Sequence, residues 1–89
     1  MNDTQRLDKW LFLARFTKSR TLAAAWCDDG LVTLNGQPGA RASQGLRLGD
    51  VLILPWGRDI RAVRVLALAS RRGPPSEARQ LYELLEGES

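Results

Sequence analysis

The sequence predicts a small α+β domain in which two N-terminal helices pack on a small, mostly antiparallel sheet and a C-terminal helix follows. Residues 1–30 have apolar side chains at helical spacing, residues 31–68 have short apolar runs between turn signals, and a Pro-Pro linker precedes a second helical pattern. A chain of 89 residues has room for one hydrophobic core. We therefore place the main domain at 1–70, with a linker and an acidic helix packed on it at 71–89.

The first two helices are predicted to form a helix–turn–helix unit. Helical periodicity extends over residues 6–16 and is followed by the polar break Thr17-Lys18. Ser19 is a typical N-cap for the second helix, and Gly30 is typical of the left-handed residue just beyond a helix. The side chains expected to face the core are Leu7, Trp10, Leu11, Ala14, Leu22, Ala23, Trp26 and Cys27.

Short strands are predicted after this helix pair. Residues 31–34 are predicted to form a strand, and the Asn35-Gly36 pair after them is a strong signal for a tight hairpin turn. Residues 37–45 are expected to form a loop with a short return strand. Two further strands are placed at residues 51–54 and 60–68, around a turn at 56–59.

The C-terminal segment is predicted to be a helix that folds back on the domain. Residues 71–75 form a stiff linker, Ser76 is the expected N-cap, and an isolated helix of this length is marginal in water. Its apolar stripe would consist of Ala78, Leu81, Tyr82 and Leu85. The four glutamates of the segment would repel phosphate, so we expect a structural cover and not a binding surface.

Positive charge is concentrated in the main domain. Residues 1–72 contain 12 of the 13 basic residues and 6 of the 10 acidic residues, a net charge of +6, whereas residues 73–89 have a net charge of −3. Eleven of the basic residues are arginine, whose planar fork suits phosphate and whose face stacks on bases. This placement favours a polyanionic partner, although charge alone fits an ordinary solvated surface equally well.

Several classes of function are excluded by composition. The sequence has no histidine, which excludes a Cys/His zinc site and catalysis by histidine. No paired-carboxylate site and no glycine loop for phosphates emerge from the sequence, so we predict no enzyme, no catalytic residue, no metal and no cofactor. The single cysteine, Cys27, indicates a reducing compartment. With a polar N-terminus and no apolar run of about 20 residues, the chain is predicted to be cytoplasmic and without membrane contact.

Three motifs resemble, in order and spacing, the S4-type RNA-binding domain (the alpha-L motif) over residues 6–68. The first comprises Arg6-Leu7-Asp8-Lys9-Trp10-Leu11, Ala14-Arg15, Thr17-Lys18-Ser19-Arg20 and Ala23; the second runs from Gly30 to Gly36 and the third from Leu48 to Leu52. The run from Arg71 to Ala78 and the aromatic spacing of Trp10, Phe12 and Phe16 are similar to bacterial fifteen-kilodalton heat-shock proteins. Those relatives carry a long basic tail, whereas the present sequence ends in an acidic segment.

The resemblance implies a non-catalytic protein that recognises structured ribosomal RNA. It also implies a target, the large ribosomal subunit that still holds a stalled nascent chain on tRNA, and a role in heat-shock response or ribosome rescue. The expected partners are ribosomal RNA, transfer RNA and the large subunit, bound by a monomer. Two alternatives stay open: a protein-interaction adaptor, and a detached RNA-targeting module of a modifying enzyme.

Family likeness places the RNA-binding face at the edge of the helix pair. Its candidate residues are Arg6, Lys9, Arg15, Lys18, Ser19 and Arg20. The start of the second helix also offers free N–H groups to a phosphate. Ordinary surface charge, with Arg15 paired to Asp8, is the alternative.

Three further candidates lie outside this edge or point away from it. Asn35-Gly36 could present its backbone and amide to RNA or serve only as a hairpin turn. Arg47 could contact phosphate or be a solvated side chain. Phe12 is a candidate for stacking on an unpaired base, and its alternative is packing under the C-terminal helix against Tyr82 or Leu85.

Overall fold

The computed structural model describes residues 4–85 and confirms the α+β class, with the helix pair packed against antiparallel strands. The helices are α1 (Leu7–Leu13), α2 (Arg20–Asp28) and α3 (Pro75–Ala78), the last continued by a single 3-10 turn (Arg79–Leu81). The strands are β1 (Gln5–Arg6), β2 (Thr33–Leu34), β3 (Gln37–Pro38), β4 (Gly45–Leu46), β5 (Val51–Trp56), β6 (Asp59–Val65) and β7 (Tyr82–Leu85).

The two N-terminal helices begin and end close to the predicted positions. The Ser19 hydroxyl accepts a hydrogen bond from the Leu22 N–H at 3.0 Å, which confirms the predicted N-cap of α2. Helix α1 is shorter than the predicted 6–16, because its last residues leave the helix in a tight reversal at Arg15. Leu22, expected in the core, is exposed.

The end of α1 is a Schellman motif. The Phe16 N–H donates to the Leu11 carbonyl at 2.9 Å, and the Arg15 N–H donates to the Phe12 carbonyl at 3.0 Å. Arg15 occupies the left-handed position of this motif, with φ of 70°. A side chain in that conformation costs about 1–2 kcal/mol, which is why glycine usually stands there.

The end of α2 is the same motif with the usual residue. The Leu31 N–H donates to the Trp26 carbonyl at 2.9 Å, and the Gly30 N–H donates to the Cys27 carbonyl at 3.0 Å. Gly30 has φ of 74°, so its predicted left-handed role is confirmed. The chain therefore uses one motif twice, once with glycine and once with arginine.

The main sheet has the strand order β3-β2-β5-β6-β7, and every pairing is antiparallel. Asn35 and Gly36 both have positive φ, 49° and 84°, as a type I′ turn requires, so the predicted hairpin is confirmed. The strand predicted at 60–68 starts one residue earlier and stops at Val65. Strands β1 and β4 form a separate two-stranded ladder that the sequence pattern did not predict.

The predicted C-terminal helix is wrong over most of its length. Helix α3 is one turn long and begins with Pro75 as its first residue, and its N-cap is Pro74, not Ser76. Residues 82–85 form β7, whose Tyr82 pairs with Val65 and whose Leu85 pairs with Ala62 on β6. Pairing satisfies the backbone groups that β6 would otherwise leave open at the sheet edge, which a short isolated helix could not do. The part of the prediction at 86–89 lies outside the described residues.

The core lies between the helix pair and the inner face of the sheet. Trp10 is fully buried, as predicted, and its indole N–H donates to the Ala67 carbonyl at 3.0 Å. The rings of Phe16 and Tyr82 pack against Trp10 at centroid distances of 5.8 and 6.5 Å, and Trp56 packs in turn against Phe16 and Tyr82. Cys27 is buried as predicted, whereas Trp26 is only partly buried against this core.

Candidate nucleic-acid interface

A buried carboxylate organises the basic edge of the helix pair. Asp8, near the start of α1, is 4% exposed, and its carboxylate lies 3.1 Å from the Arg6 Nε and 3.5 Å from an Arg20 terminal nitrogen. Burial alone would raise the pKa of Asp8, but the hydrogen bonds and charges of Arg6 and Arg20 outweigh it and hold the pKa below its ordinary value. Asp8 therefore carries a full negative charge at neutral pH.

This carboxylate holds two arginines from different elements side by side. The side chains of Arg6 and Arg20 keep 52% and 46% of their surface exposed, so guanidinium N–H groups are left for a ligand. Two positive charges around one buried negative charge leave the group net positive. Since the forks are held before a ligand arrives, less side-chain entropy is lost on binding a phosphate.

Lys9, Lys18 and Ser19 are neighbours of these arginines in the sequence. Both lysines are exposed, and neither forms a salt bridge within residues 4–85. The Ser19 hydroxyl is used as the N-cap of α2, so its oxygen is committed to the protein. We name the set Arg6, Lys9, Lys18 and Arg20 the basic edge.

Arg15 does not pair with Asp8, so the predicted ion pair between these two residues is wrong. Its Nε donates to the Gly73 carbonyl at 2.6 Å, a contact between residues 58 positions apart in the chain. The side chain is exposed overall and leaves its two terminal nitrogens without a hydrogen-bond partner in the described part of the chain. Arg15 therefore both attaches the linker and presents charge beside the basic edge.

The Asn35 side chain is committed to the sheet. Its oxygen accepts a hydrogen bond from the Val51 N–H at 2.8 Å, and its amide nitrogen donates to the Asp50 carboxylate at 3.1 Å. The other Asp50 oxygen accepts from the Arg47 N–H at 2.8 Å, so the carboxylate closes the turn before β5. Asn35 and Gly36 thus serve the hairpin, while the exposed Arg47 side chain projects from a fixed turn.

Phe12 is covered by an arginine of the linker. The Arg72 guanidinium carbon lies 4.7 Å from the centre of the Phe12 ring, and the Arg72 Nε donates to the Phe12 carbonyl at 3.1 Å. A second Arg72 nitrogen donates to the Thr17 carbonyl at 3.4 Å. Phe12 packs under this arginine and lies outside the cluster of Trp10, Phe16, Trp56 and Tyr82.

The sequence pattern did not predict the structural role of Arg72, because no nearby residue indicates its partners. The residue stands in a linker, and its partners lie 55 and 60 positions earlier in the chain. The same holds for Gln5, whose amide donates to the Ala69 carbonyl at 2.6 Å and accepts from the Ala69 N–H at 3.1 Å. These contacts fasten residues 69–73 along the helix pair.

The described residues contain no cluster of metal-ligating side chains, and their one cysteine is buried. No cluster of three His, Cys, Asp or Glu side chains occurs among residues 4–85. Burial, followed by the charges of Asp8 and Asp28, raises the pKa of Cys27 to about 11, so its thiol is protonated at neutral pH and a poor nucleophile. No helix in this part of the chain is long and apolar enough to span a bilayer.

Comparison with known proteins gives consistent matches in family, sequence and structure. The model of the S4 domain family matches residues 5–52. Heat shock protein 15 of Escherichia coli strain K12 is 46% identical over 78 residues, which span 88% of this chain and 58% of that protein. The RQC P-site tRNA stabilizing factor of Bacillus subtilis is 36% identical over 83 residues, which span 93% of this chain and 94% of that factor.

A solved structure gives the same relationship in three dimensions. The structure of Vibrio cholerae heat shock protein 15, described as trimeric, superposes with a TM-score of 0.87 at 36% sequence identity. The match covers 92% of this chain and 82% of that one. The present chain thus spans a little over half the length of the curated Escherichia coli relative, and almost the full length of the Bacillus subtilis factor.

Proposed function

This chain belongs to the S4 domain family, and from that premise we propose that it is a non-catalytic protein that binds structured ribosomal RNA. The observation that carries the proposal is the buried Asp8 that holds Arg6 and Arg20 side by side on the basic edge. Such a carboxylate contributes nothing to phosphate attraction by its own charge. Its value lies in fixing two guanidinium groups at a set spacing.

Fixed arginines suit folded RNA better than a flexible basic tail would. Folded RNA presents phosphates at defined positions, and proteins recognise it largely through shape and backbone contacts. A fixed basic edge, with lysines in addition to the two arginines, can match several phosphates at once. We propose that Arg6, Lys9, Lys18 and Arg20 make these contacts, with Arg15 and Arg47 at the margins and Ser19 shaping the start of α2.

The ribosome is the proposed site of action. One relative is named for stabilising P-site tRNA, and another is a heat shock protein. We propose that the chain associates with large ribosomal subunits that still hold peptidyl-tRNA, as a cytoplasmic factor in ribosome quality control. A second contact on tRNA would add selectivity to the weak binding expected of one small domain.

Salt-dependent binding to ribosomal RNA tests the RNA interface. Changing Arg15, Lys18 and Arg20 together to Ala should flatten the slope of log affinity against log salt by about 2–3 units, since three phosphate contacts are lost. A control variant with Arg61, Arg64 and Arg71 changed to Ala removes the same charge from exposed ion pairs elsewhere. Its slope should stay close to that of the parent.

Equal slopes for both triple variants, with intact circular dichroism, would contradict an RNA interface on the helix pair. If binding of the parent protein to its targets hardly depends on salt, the result would favour the hypothesis of a protein-interaction adaptor. Co-purification of an RNA-modifying enzyme would support the hypothesis that the chain is a detached RNA-targeting module.

Sedimentation through a sucrose gradient tests the ribosomal target. At near-physiological salt, the tagged chain should migrate with large subunits, and more so when those subunits retain peptidyl-tRNA. A chain that stays at the top of the gradient, yet crosslinks to another RNA in cells, would remove the ribosome from the proposal. The monomeric state stays a prediction, which molecular mass in solution tests against the trimer described for the Vibrio cholerae relative.

A further inference from the structure

An open cleft lies between the reversal after α1 and the hairpin that joins β5 to β6. Its volume is about 290 Å³, and its walls are Arg15, Phe16, Trp26, Pro55, Trp56, Gly57 and Tyr82. Sites for drug-sized ligands measure about 300–1,000 Å³, so this cleft suits a single planar ring system. Four of its seven lining residues are aromatic, and none is acidic.

The polar groups of these aromatic residues are free in the described part of the chain. Trp10, which lies under the cleft in the core, has its indole N–H bonded to the Ala67 carbonyl. In contrast, no hydrogen bond within residues 4–85 involves the indole N–H of Trp26 or Trp56 or the hydroxyl of Tyr82. Such groups can pair with the polar edge of a ligand while the rings stack on its faces.

Arg15 links this cleft to the charged surface. It belongs to the same turn as Lys18 and the start of α2, and it lines the cleft from a left-handed backbone position. The Nε is bound to Gly73, which fixes the guanidinium and leaves both terminal nitrogens available. A non-glycine residue held in this costly conformation, with donors aimed at no protein acceptor, is typical of a binding position.

We propose that this cleft binds one unstacked nucleobase of the RNA, with Arg15 contacting the phosphate of the same nucleotide. The inference rests on the proposed RNA-binding function and gives it a second component, recognition of a splayed-out base next to the phosphate contacts of the basic edge. Unpaired bases in folded RNA are commonly bound by stacking on aromatic side chains, and a neighbouring arginine supplies charge without reading sequence.

Nuclear magnetic resonance of the full chain tests the cleft without requiring the ribosome. The chain has three tryptophans, so the indole N–H signals of Trp10, Trp26 and Trp56 can be assigned by substitution. Adding adenosine 5′-monophosphate should shift the Trp26 and Trp56 signals and leave the buried Trp10 signal in place. Adenosine should produce the same shifts at higher concentration, and ribose 5-phosphate should leave the tryptophan signals unmoved.

Two variants separate the base from the phosphate. Arg15→Gly permits the left-handed backbone, and it should weaken binding of the monophosphate by about tenfold and binding of adenosine by much less. Trp56→Phe keeps a ring in the wall and should bind more weakly than the parent, and Trp56→Leu should bind more weakly still. Dispersed amide spectra of each variant establish that it is folded.

The inference is overturned if ribose 5-phosphate shifts the tryptophan signals as strongly as the nucleotide does, or if the nucleotide moves only signals of the basic edge. Tighter binding of N-acetyl-tryptophanamide than of the nucleotide would also overturn it, in favour of a protein side chain as occupant. A chain that co-sediments with large subunits while its tryptophan signals ignore the nucleotide refutes the cleft alone. A cleft that binds the nucleotide in a chain that does not co-sediment supports the inference and refutes the ribosomal target.

Discussion

The C-terminal ends of α1 and α2 have the same hydrogen-bonded reversal but are stabilised in opposite ways. The end of α2 has Gly30 at the left-handed position, where the backbone conformation costs little. The end of α1 has Arg15 there and bears the steric cost, and two arginine side chains connect it to the linker at residues 71–73. One end is thus stable by itself, while the other depends on a distant segment.

This difference shows what the first reversal provides. A glycine at position 15 would relieve the backbone but remove the bond to Gly73 and the guanidinium beside the cleft. Arg72 offsets the cost of the left-handed conformation of Arg15 by donating to the Phe12 and Thr17 carbonyls. Its positive charge also interacts favourably with the negative C-terminal end of the α1 dipole. The α1 end is therefore a junction between helix, linker and ligand surface, whereas the α2 end is a simple helix stop.

The largest effect is expected from removing the second arginine of the α1 junction. Arg72→Ala deletes two hydrogen bonds from a charged donor and the contact with the Phe12 ring, and should lower the free energy of unfolding by about 2 kcal/mol. Urea denaturation measures the change. Arg71→Ala is the matched control, since it removes only an exposed ion pair with Glu77 and should cost less than about 1 kcal/mol. Equal losses in the two variants would show that Arg72 does not hold the junction.

A somewhat smaller loss is expected at the end of α2. Gly30→Ala should lower the free energy of unfolding by about 1–2 kcal/mol, because the added Cβ meets no atom within 4 Å and only the left-handed backbone is penalised. Gly45→Ala is the control, because the φ of Gly45 lies outside the left-handed region and its Cβ would meet Thr4 at an ordinary 3.4 Å. A Gly30→Ala protein as stable as the control would remove the conformational argument from both helix ends.

The strain at Arg15 can be isolated by comparing two substitutions. Arg15→Ala and Arg15→Gly both lose the side-chain bond to Gly73, but only glycine relaxes the left-handed backbone. The glycine variant should therefore be the more stable of the two by about 1 kcal/mol in urea denaturation. An alanine variant equal to the glycine variant would mean that the reversal carries no strain.

The smallest effect concerns the Cys27 thiol, which reports opening of the α2 end. Its pKa is raised from 9.0 to about 11, so stability from the buried thiol is present below about pH 9 and is lost as the pH rises toward 11. At pH 8 the parent should react slowly with a thiol reagent. Gly30→Ala should speed this labelling more than Arg15→Ala does, because the Cys27 carbonyl accepts the Gly30 N–H. Faster labelling of Arg15→Ala than of Gly30→Ala would contradict local opening at the α2 end.

Local signals predicted much of the architecture. Ser19, Gly30 and the Asn35-Gly36 turn each act through their own backbone or through residues a few positions away, so a sequence pattern can reveal them. The basic residues of the helix pair were also visible, and family likeness gave them a role. Their arrangement was not visible, because the distances of Arg6 and Arg20 from Asp8 depend on how α2 packs against α1.

The C-terminal segment shows where local reasoning failed. Ala78, Leu81, Tyr82 and Leu85 fit a helical stripe, but residues 82–85 are too few for their pattern to distinguish a helix from a strand. The open edge of β6 decided between them, since a strand there pairs backbone groups along Ala62 to Val65. Tyr82 then reached the aromatic cluster beside the cleft from a strand instead of a helix.

The sequence by itself determined the helix pair, its cap and glycine stop, the first hairpin, the charge of the main domain and the family. Only the tertiary structure decided that Asp8 joins two arginines, that Arg15 adopts a left-handed backbone and binds Gly73, and that residues 82–85 complete the sheet. The physical reason is how far apart in the sequence the interacting residues lie. Caps and tight turns are fixed by atoms within a few residues, whereas ion pairs, sheet edges and clefts depend on segments that are brought together only when the core forms.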